Sequence, residues 1–137
     1  MQHRVCMGWA TATALILLAG CGSGNLVVSG RVTYKGKPVE NGTIALEPED
    51  RKGPTREQPI VQGEYRFVGP NAVPAGPKLV RIQAFGPTGK KTSAAPGSSQ
   101  MVDVIGPLLP EEYNAKSKLR INLDANNASK LDFNLPQ

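Results

Sequence analysis

The amino-acid sequence reads as an all-β protein, an antiparallel β-sandwich of about seven short strands. Three observations carry that expectation. Apolar and polar residues alternate at period two through most of the apolar stretches, which puts one face of each inside and the other in water. The chain holds 15 glycines and 12 prolines, close to a fifth of its 137 residues. They punctuate it roughly every 8 to 12 residues, as short strands joined by turns require. No stretch beyond Asn25 carries an amphipathic helical pattern. With one Trp, three Tyr and three Phe, the core must be built mainly from Val, Ile and Leu.

The first 25 residues stand apart from that sandwich. Met1 to Met7 hold His3 and Arg4 and no acid, and Gly8 to Ala19 is apolar or small throughout. A basic segment followed by such a run is the pattern of a secretory signal. The run is 12 residues long, whereas a helix needs about 20 to cross a bilayer. It closes on Leu18-Ala19-Gly20-Cys21, which resembles the lipobox of bacterial lipoproteins. The resemblance implies cleavage before Cys21, a diacylglyceryl group on its sulfur, and an acyl chain such as palmitate on its new amino group. Each buried methylene contributes about 0.8 kcal/mol and a single chain holds only marginally, so two or three chains make a durable anchor. The expected division is 1–20 signal, 21–25 lipidated cysteine and flexible tether, and 26–137 domain. Cys21 is followed by Gly22 rather than Asp, which resembles an outer-membrane address, facing the periplasm or the cell surface. Cys6 falls in the removed segment, so the domain has no disulfide. About 110 residues can hold together on their core alone.

The strands follow in order. In Leu26 to Tyr34, residues Val28, Gly30, Val32 and Tyr34 share one face. Lys35-Gly36-Lys37-Pro38 is turn chemistry. Val39 to Pro48 continues the hairpin, with Asn41-Gly42 as a local turn or bulge and Ile44 and Leu46 inward. Glu49 to Pro59 is polar and reads as a loop. Gln62-Gly63 is a turn, followed by Glu64 to Phe67 with Tyr65 and Phe67 inward. Lys78 to Phe85 puts Val80, Ile82 and Ala84 on one side. Gly86 to Gln100 has alanine as its only apolar residue type and reads as a mobile loop. Met101 to Ile105 is a short strand. Pro110-Glu111-Glu112-Tyr113 can form one helical turn with Pro at its start. Leu119, Ile121 and Leu123, then Leu131, Phe133 and Leu135, read as the inward residues of a last hairpin.

These strands also resemble a known family. Val28-Ser29-Gly30-Arg31-Val32-Thr33, Gly36-Lys37-Pro38-Val39 and Asn41-Gly42-Thr43-Ile44 are similar to the opening hairpin of transthyretin-like, or carboxypeptidase regulatory-like, domains. Gly63-Glu64-Tyr65-Arg66-Phe67, then Val73-Pro74-Ala75-Gly76, and the closing Leu131 to Leu135 are similar to its later elements. Leu109 to Asn114 resembles a segment of the small lipoprotein type abundant in planctomycetes. The resemblance spans Val28 to Leu135. It implies a prealbumin-like sandwich and leaves the function open, because members serve as structural, carbohydrate-contacting and carrier modules and, in one branch, as a hydrolase.

The residues exclude most chemistry. His3 is the sole histidine and lies in the signal, and the domain has no free cysteine, so Ser-His and Cys-His nucleophile pairs are lacking. Carboxylates alone make an unusual zinc site. Glu47, Glu49 and Asp50 cluster, and Glu111 and Glu112 adjoin. Paired acids suit glycoside hydrolysis or calcium, but neither group has ligand-loop spacing, and solvated loops are expected. Gly86 to Lys91 lacks the phosphate-loop pattern. The net charge is +5; without Arg4, 15 basic and 11 acidic residues leave +4. No basic run with interleaved aromatics points to nucleic acid. The sequence therefore leads to no catalytic residue, cofactor or metal. It leads to a lipid-anchored envelope module, attached to the membrane at Cys21 and binding an envelope protein or glycan. The alternative is a carboxylate-dependent enzyme acting on polysaccharide.

Overall fold

Strands form wherever the alternation is regular, and they also run on into stretches where it is not. The computed structural model describes residues 24–136. In chain order the strands are β1 (Asn25–Leu26), β2 (Val28–Tyr34), β3 (Lys37–Pro38), β4 (Asn41–Pro48), β5 (Arg56–Val61) and β6 (Glu64–Phe67). There follow β7 (Val73–Pro74), β8 (Gly76–Ser93), β9 (Met101–Pro107), β10 (Arg120–Leu123) and β11 (Phe133–Leu135). Single 3-10 turns lie at Gly69–Asn71, Glu111–Tyr113 and Ala128–Lys130, the second preceded by Pro110 as the sequence suggests.

The architecture is all-β. Seven strands form one hydrogen-bonded path, β10-β8-β4-β5-β6-β2-β11, with β3 added to β2 and β9 to β8; β1 and β7 pair separately. The path bends between β5 and β6, where pairing narrows to Val61 opposite Glu64. The curled sheet thus folds over its own core. Val28 and Val32 from β2, Ile44 and Leu46 from β4, Ile60 from β5, Phe67 from β6, and Val80 and Ile82 from β8 are all buried there. Tyr65 stacks beside Phe133 and edge-on to Phe67, an arrangement aromatic rings favour. The expected inward residues of β2, β4, β6 and β8 hold, with Gly30 and Tyr34 half-buried.

Two turns read from the sequence have a clear backbone cause. Lys35 and Gly36 have φ of 52° and 76°, and Gln62 and Gly63 have 51° and 80°. Two successive positive φ values match the twist of a two-residue hairpin, closed by Tyr34 opposite Lys37 and by Val61 opposite Glu64.

Five expectations need correction. First, Gly86 to Gln100 is not a mobile loop: β8 continues to Ser93 and pairs with β9, leaving Ala94 to Gln100 as the tip. Backbone pairing, which needs no large side chain, orders it. Second, Leu119 to Leu123 and Leu131 to Leu135 do not form a hairpin. β10 pairs with β8, while β11 pairs with β2 in parallel, so the sheet is not wholly antiparallel. Third, Glu49 to Pro59 is not all loop, because β5 begins at Arg56. Pro59 fits there because β5 is nearly an edge, paired along its length only with β4. Fourth, Asn41-Gly42 is no turn: Gly42 lies within β4, where an added Cβ would stand 2.4 Å from the Gln83 carbonyl oxygen. Fifth, four further strands lie beside the seven of the path, and β8 is 18 residues long rather than short.

Register fixes the ends of the molecule. Asn25 lies opposite Pro74, Val28 opposite Phe67 and Pro48 opposite Lys78, so the described chain enters at one end. Asn41 opposite Val61, and Gly42 opposite Ala84, mark the other end. β8 and β9 run on past that second end as a two-stranded arm, roughly 25 Å long at about 3.3 Å per residue.

Candidate functional site

The arm is the feature that departs most from a closed sandwich. Pairing of β4 with β8 ends at Gly42 opposite Ala84, yet β8 pairs with β9 from Phe85 out to Ser93. A bulge interrupts the ladder between Pro87 and Lys91, with Gly89 at φ 78°. Alternation along β9 puts Met101, Asp103, Ile105 and Pro107 on one face, with Phe85, Pro87, Lys91 and Ser93 beside them. This face is apolar at its base: Phe85 is 52% exposed and Ile105 63%. Lys91 and Asp103 form an exposed ion pair at 3.6 Å further out. The tip is held by its own bonds. The Ala94 N–H donates to the Gln100 carbonyl at 2.9 Å, and the Ser93 hydroxyl donates to the carbonyls of Ala95 and Ser98.

Two grooves flank the sandwich. One, of about 1080 Å³, lies at the base of the arm and is lined by Val39, Val61, Phe85 and Leu108, with Lys35 and Lys37 at its margin. The second, of about 770 Å³, lies over β5, β6 and β2 and is polar. In it Arg31 pairs with Glu64 at 2.9 Å, and the Arg31 backbone N–H donates to Asp132 at 2.8 Å. Gln58, Arg66 and Lys130 complete it. Its floor is Gly30 and Tyr65, whose buried hydroxyl donates to the Leu131 carbonyl. Burial first, and the Asp132 charge second, push the Tyr65 phenol well above its ordinary range, so the hydroxyl stays a donor.

The carboxylates singled out in the sequence do not converge. Glu47 accepts from Arg81 at 3.0 Å, Glu49 from Arg120 at 2.7 Å, and Asp50 from the Lys52 backbone N–H at 2.9 Å. Glu111 pairs with Lys116 at 2.7 Å on the exposed 3-10 turn. These four acids are each committed to a separate neighbour, and Glu112, beside Glu111, is exposed. Among the described residues no group of three or more His, Cys, Asp or Glu is placed to hold a metal ion. Lys90 and Lys91 lie on the arm, not on a loop. Cys21 and the segment 1–20 lie outside the described residues. Among the described residues no helix is long and apolar enough to cross a membrane.

Sequence reasoning missed the arm as an element. Its one usable signal is Met101 to Ile105, a β-prone run with a single charge; the run names a strand but not its partner. The alternation from Lys78 to Phe85 gives no sign of the setting of Lys78 itself. It continues the inward row of Val80, Ile82 and Ala84 and is 4% exposed. Burial lowers its pKa, and Asp50 opposes that shift.

No family model matches this chain, and no curated protein or solved structure matches it either.

Proposed function

We propose that the protein is a lipid-anchored module of the bacterial cell envelope, held by Cys21 and acting through contacts rather than catalysis. The separation of the two ends is the observation that carries this reading. The described chain enters at Asn25, beside β7, and the arm leaves the opposite end. The anchor and the contact element therefore do not compete for one surface. In sequence, the residues between Cys21 and β1 have the Gly/Ser composition of a linker. The separate engagement of Glu47, Glu49 and Glu111 by Arg81, Arg120 and Lys116 supports a non-catalytic role. General acid–base work on a glycosidic bond needs two carboxyl groups facing one substrate.

The transthyretin-like resemblance belongs to this reading as well, with its prealbumin-like sandwich. Its glycines find a use in the geometry, since Gly30 and Gly42 both sit where the backbone of a neighbouring segment, at Leu131 and Gln83, passes too close for a Cβ. The proposed place is the outer membrane, facing the periplasm or the surface, with an envelope protein or glycan as partner and no nucleic acid. Metabolic labelling with palmitate tests the anchor. The chain should take up label and sediment with membranes, and Cys21→Ala should do neither. A Cys21→Ala variant that keeps both label and membrane attachment would overturn the proposal.

A further inference from the structure

β9 has a free edge whose hydrogen-bonding groups can be assigned. Within a strand, the N–H and C=O of one residue point to the same side, and the side alternates from residue to residue. The Leu108 N–H donates to the Ala84 carbonyl, the Gln100 carbonyl accepts from Ala94, and the Val104 carbonyl accepts from Thr88 Oγ1. The even-numbered residues of β9 therefore face β8. Met101, Asp103, Ile105 and Pro107 turn their backbone groups outward, where no strand is paired among the described residues. A two-stranded ribbon is marginal alone in water. An exposed apolar edge of this kind takes a further strand unless something blocks it.

We infer that this edge pairs with β9 of a second copy of the chain, antiparallel, about a two-fold axis at Val104. The outward row of β9 complements itself in one register. An axis at Asp103 would set two carboxylates directly opposite, which is unfavourable. Axes at Val102 or Ile105 leave part of the strand unpaired. The axis at Val104, the midpoint of Met101–Pro107, pairs the whole strand. Asp103 and Ile105 of the partner subunit then exchange both backbone bonds, and so do their symmetry mates. The Met101 N–H donates to the carbonyl of Pro107 of the partner subunit. The N–H that proline lacks is missing only at the strand's last position. Asp103 faces an isoleucine while keeping Lys91 on its own arm. Phe85, Ile105 and Met101 of both copies join one apolar face of a four-stranded ribbon, with the two bodies at its ends. The inference rests on the arm as the contact element proposed above, and not on the lipid.

Cysteine pairing in membranes from cells expressing the full chain tests the register. At the axis, Val104 lies opposite Val104 of the partner subunit in a non-hydrogen-bonded pair. Their Cα atoms are then about 4.5 Å apart, within the reach of a disulfide. Val102 pairs with Gly106 of the partner subunit, so the two Val102 positions stand roughly 13 Å apart at about 3.3 Å per residue. Val104→Cys should give a disulfide-linked dimer under mild oxidation. Val102→Cys should resemble the unsubstituted chain, which already carries Cys6 and Cys21. As an independent measure, light scattering of the full chain in detergent should report a dimer, and Ile105→Pro, which removes an outward N–H, should report a monomer with an unchanged circular dichroism spectrum. Equal linking at positions 102 and 104, no linking at 104, or a monomeric parent chain would overturn the inference. None of those results touches palmitate labelling at Cys21, so this inference and the anchor fail separately.

Discussion

Replacing Gly30 by alanine should be among the most damaging one-carbon changes in the domain. An ideal Cβ at Gly30 falls 1.9 Å from the Leu131 carbonyl oxygen and 2.5 Å from its carbonyl carbon. Both are backbone atoms, so no side chain can swing aside. The segment leading into β11 would have to retreat by more than about 1 Å to reach ordinary contact. Two hydrogen bonds hold it in place: the Leu131 N–H to the Ser29 carbonyl at 2.9 Å, and the Tyr65 hydroxyl to the Leu131 carbonyl. Losing the first costs about 1 kcal/mol, and leaving the buried second pair unmade costs about 1–3 kcal/mol. Overpacking against Tyr65 adds about 1 kcal/mol or more. A total of about 4 kcal/mol should lower the melting temperature by about 15 °C for a domain of this size. Thermal melting followed by far-ultraviolet circular dichroism reads it. Gly36→Ala is the control: nothing lies within 4 Å of its added Cβ, though its φ is 76°, so only a backbone cost of about 1 kcal/mol remains. If Gly30→Ala melts within about 3 °C of the parent, or above Gly36→Ala, the close passage of β11 over β2 is wrong.

Three other outcomes are expected. Tyr65→Phe should cost about 1–3 kcal/mol at neutral pH by stranding the Leu131 carbonyl. Because folding raises the Tyr65 pKa above its ordinary 10.0, the folded state holds that proton more tightly. The parent's stability from this group is complete below about pH 10 and is lost progressively above it, as pH climbs toward the raised folded value, so the deficit of the Phe variant should shrink in alkaline melts. Lys78→Met should stabilise the domain slightly in urea unfolding at pH 7, since an apolar chain replaces a side chain whose stem is buried and whose ammonium is partly desolvated. Below the depressed folded pKa of Lys78 the charge burdens only the folded state, so the gain should fade as pH rises toward 10.5. Replacing residues 87–105 by Asn-Gly, which joins the paired Gly86 and Gly106 through a two-residue turn, should leave the melting temperature within a few degrees.

Most of the sandwich can be read from the residues because its strands bury one face each. Val28 and Val32, and Tyr65 and Phe67, alternate with half-buried or exposed neighbours, and burial follows the alternation; Ile44 and Leu46 are buried too, with Ala45 buried between them. Lys35-Gly36 and Gln62-Gly63 announce their turns because few other pairs tolerate two positive φ values. Partnership is another matter. Leu119 to Leu123 and Leu131 to Leu135 follow one another in sequence and alternate alike, although Leu119 and Ile121 are half-buried where Leu123, Leu131, Phe133 and Leu135 are buried. Which strands they join is decided by the space beside β8 and β2, which period two does not encode. The arm fails for a different reason. Gly86, Pro87, Thr88, Gly89, Lys90 and Lys91 bury almost nothing, so their strand state comes from the pairing of β8 with β9, between residues 8 to 22 positions apart. For the candidate site, the scattered acids Glu47, Glu49 and Asp50 look like a cluster in sequence. Alternation and a turn send them to different cations and amides. The free edge of β9 was beyond reach, because an edge is defined by what lies beside a strand.

The proposed anchor at Cys21 is tested most directly by the mass of the tryptic peptide that ends at Arg31, taken from the protein isolated from membranes. This peptide should begin at Cys21 and carry the added mass of a diacylglyceryl group and an N-linked acyl chain, with no thiol left to alkylate. A peptide that runs through from Val5 to Arg31 with both cysteines free would contradict it.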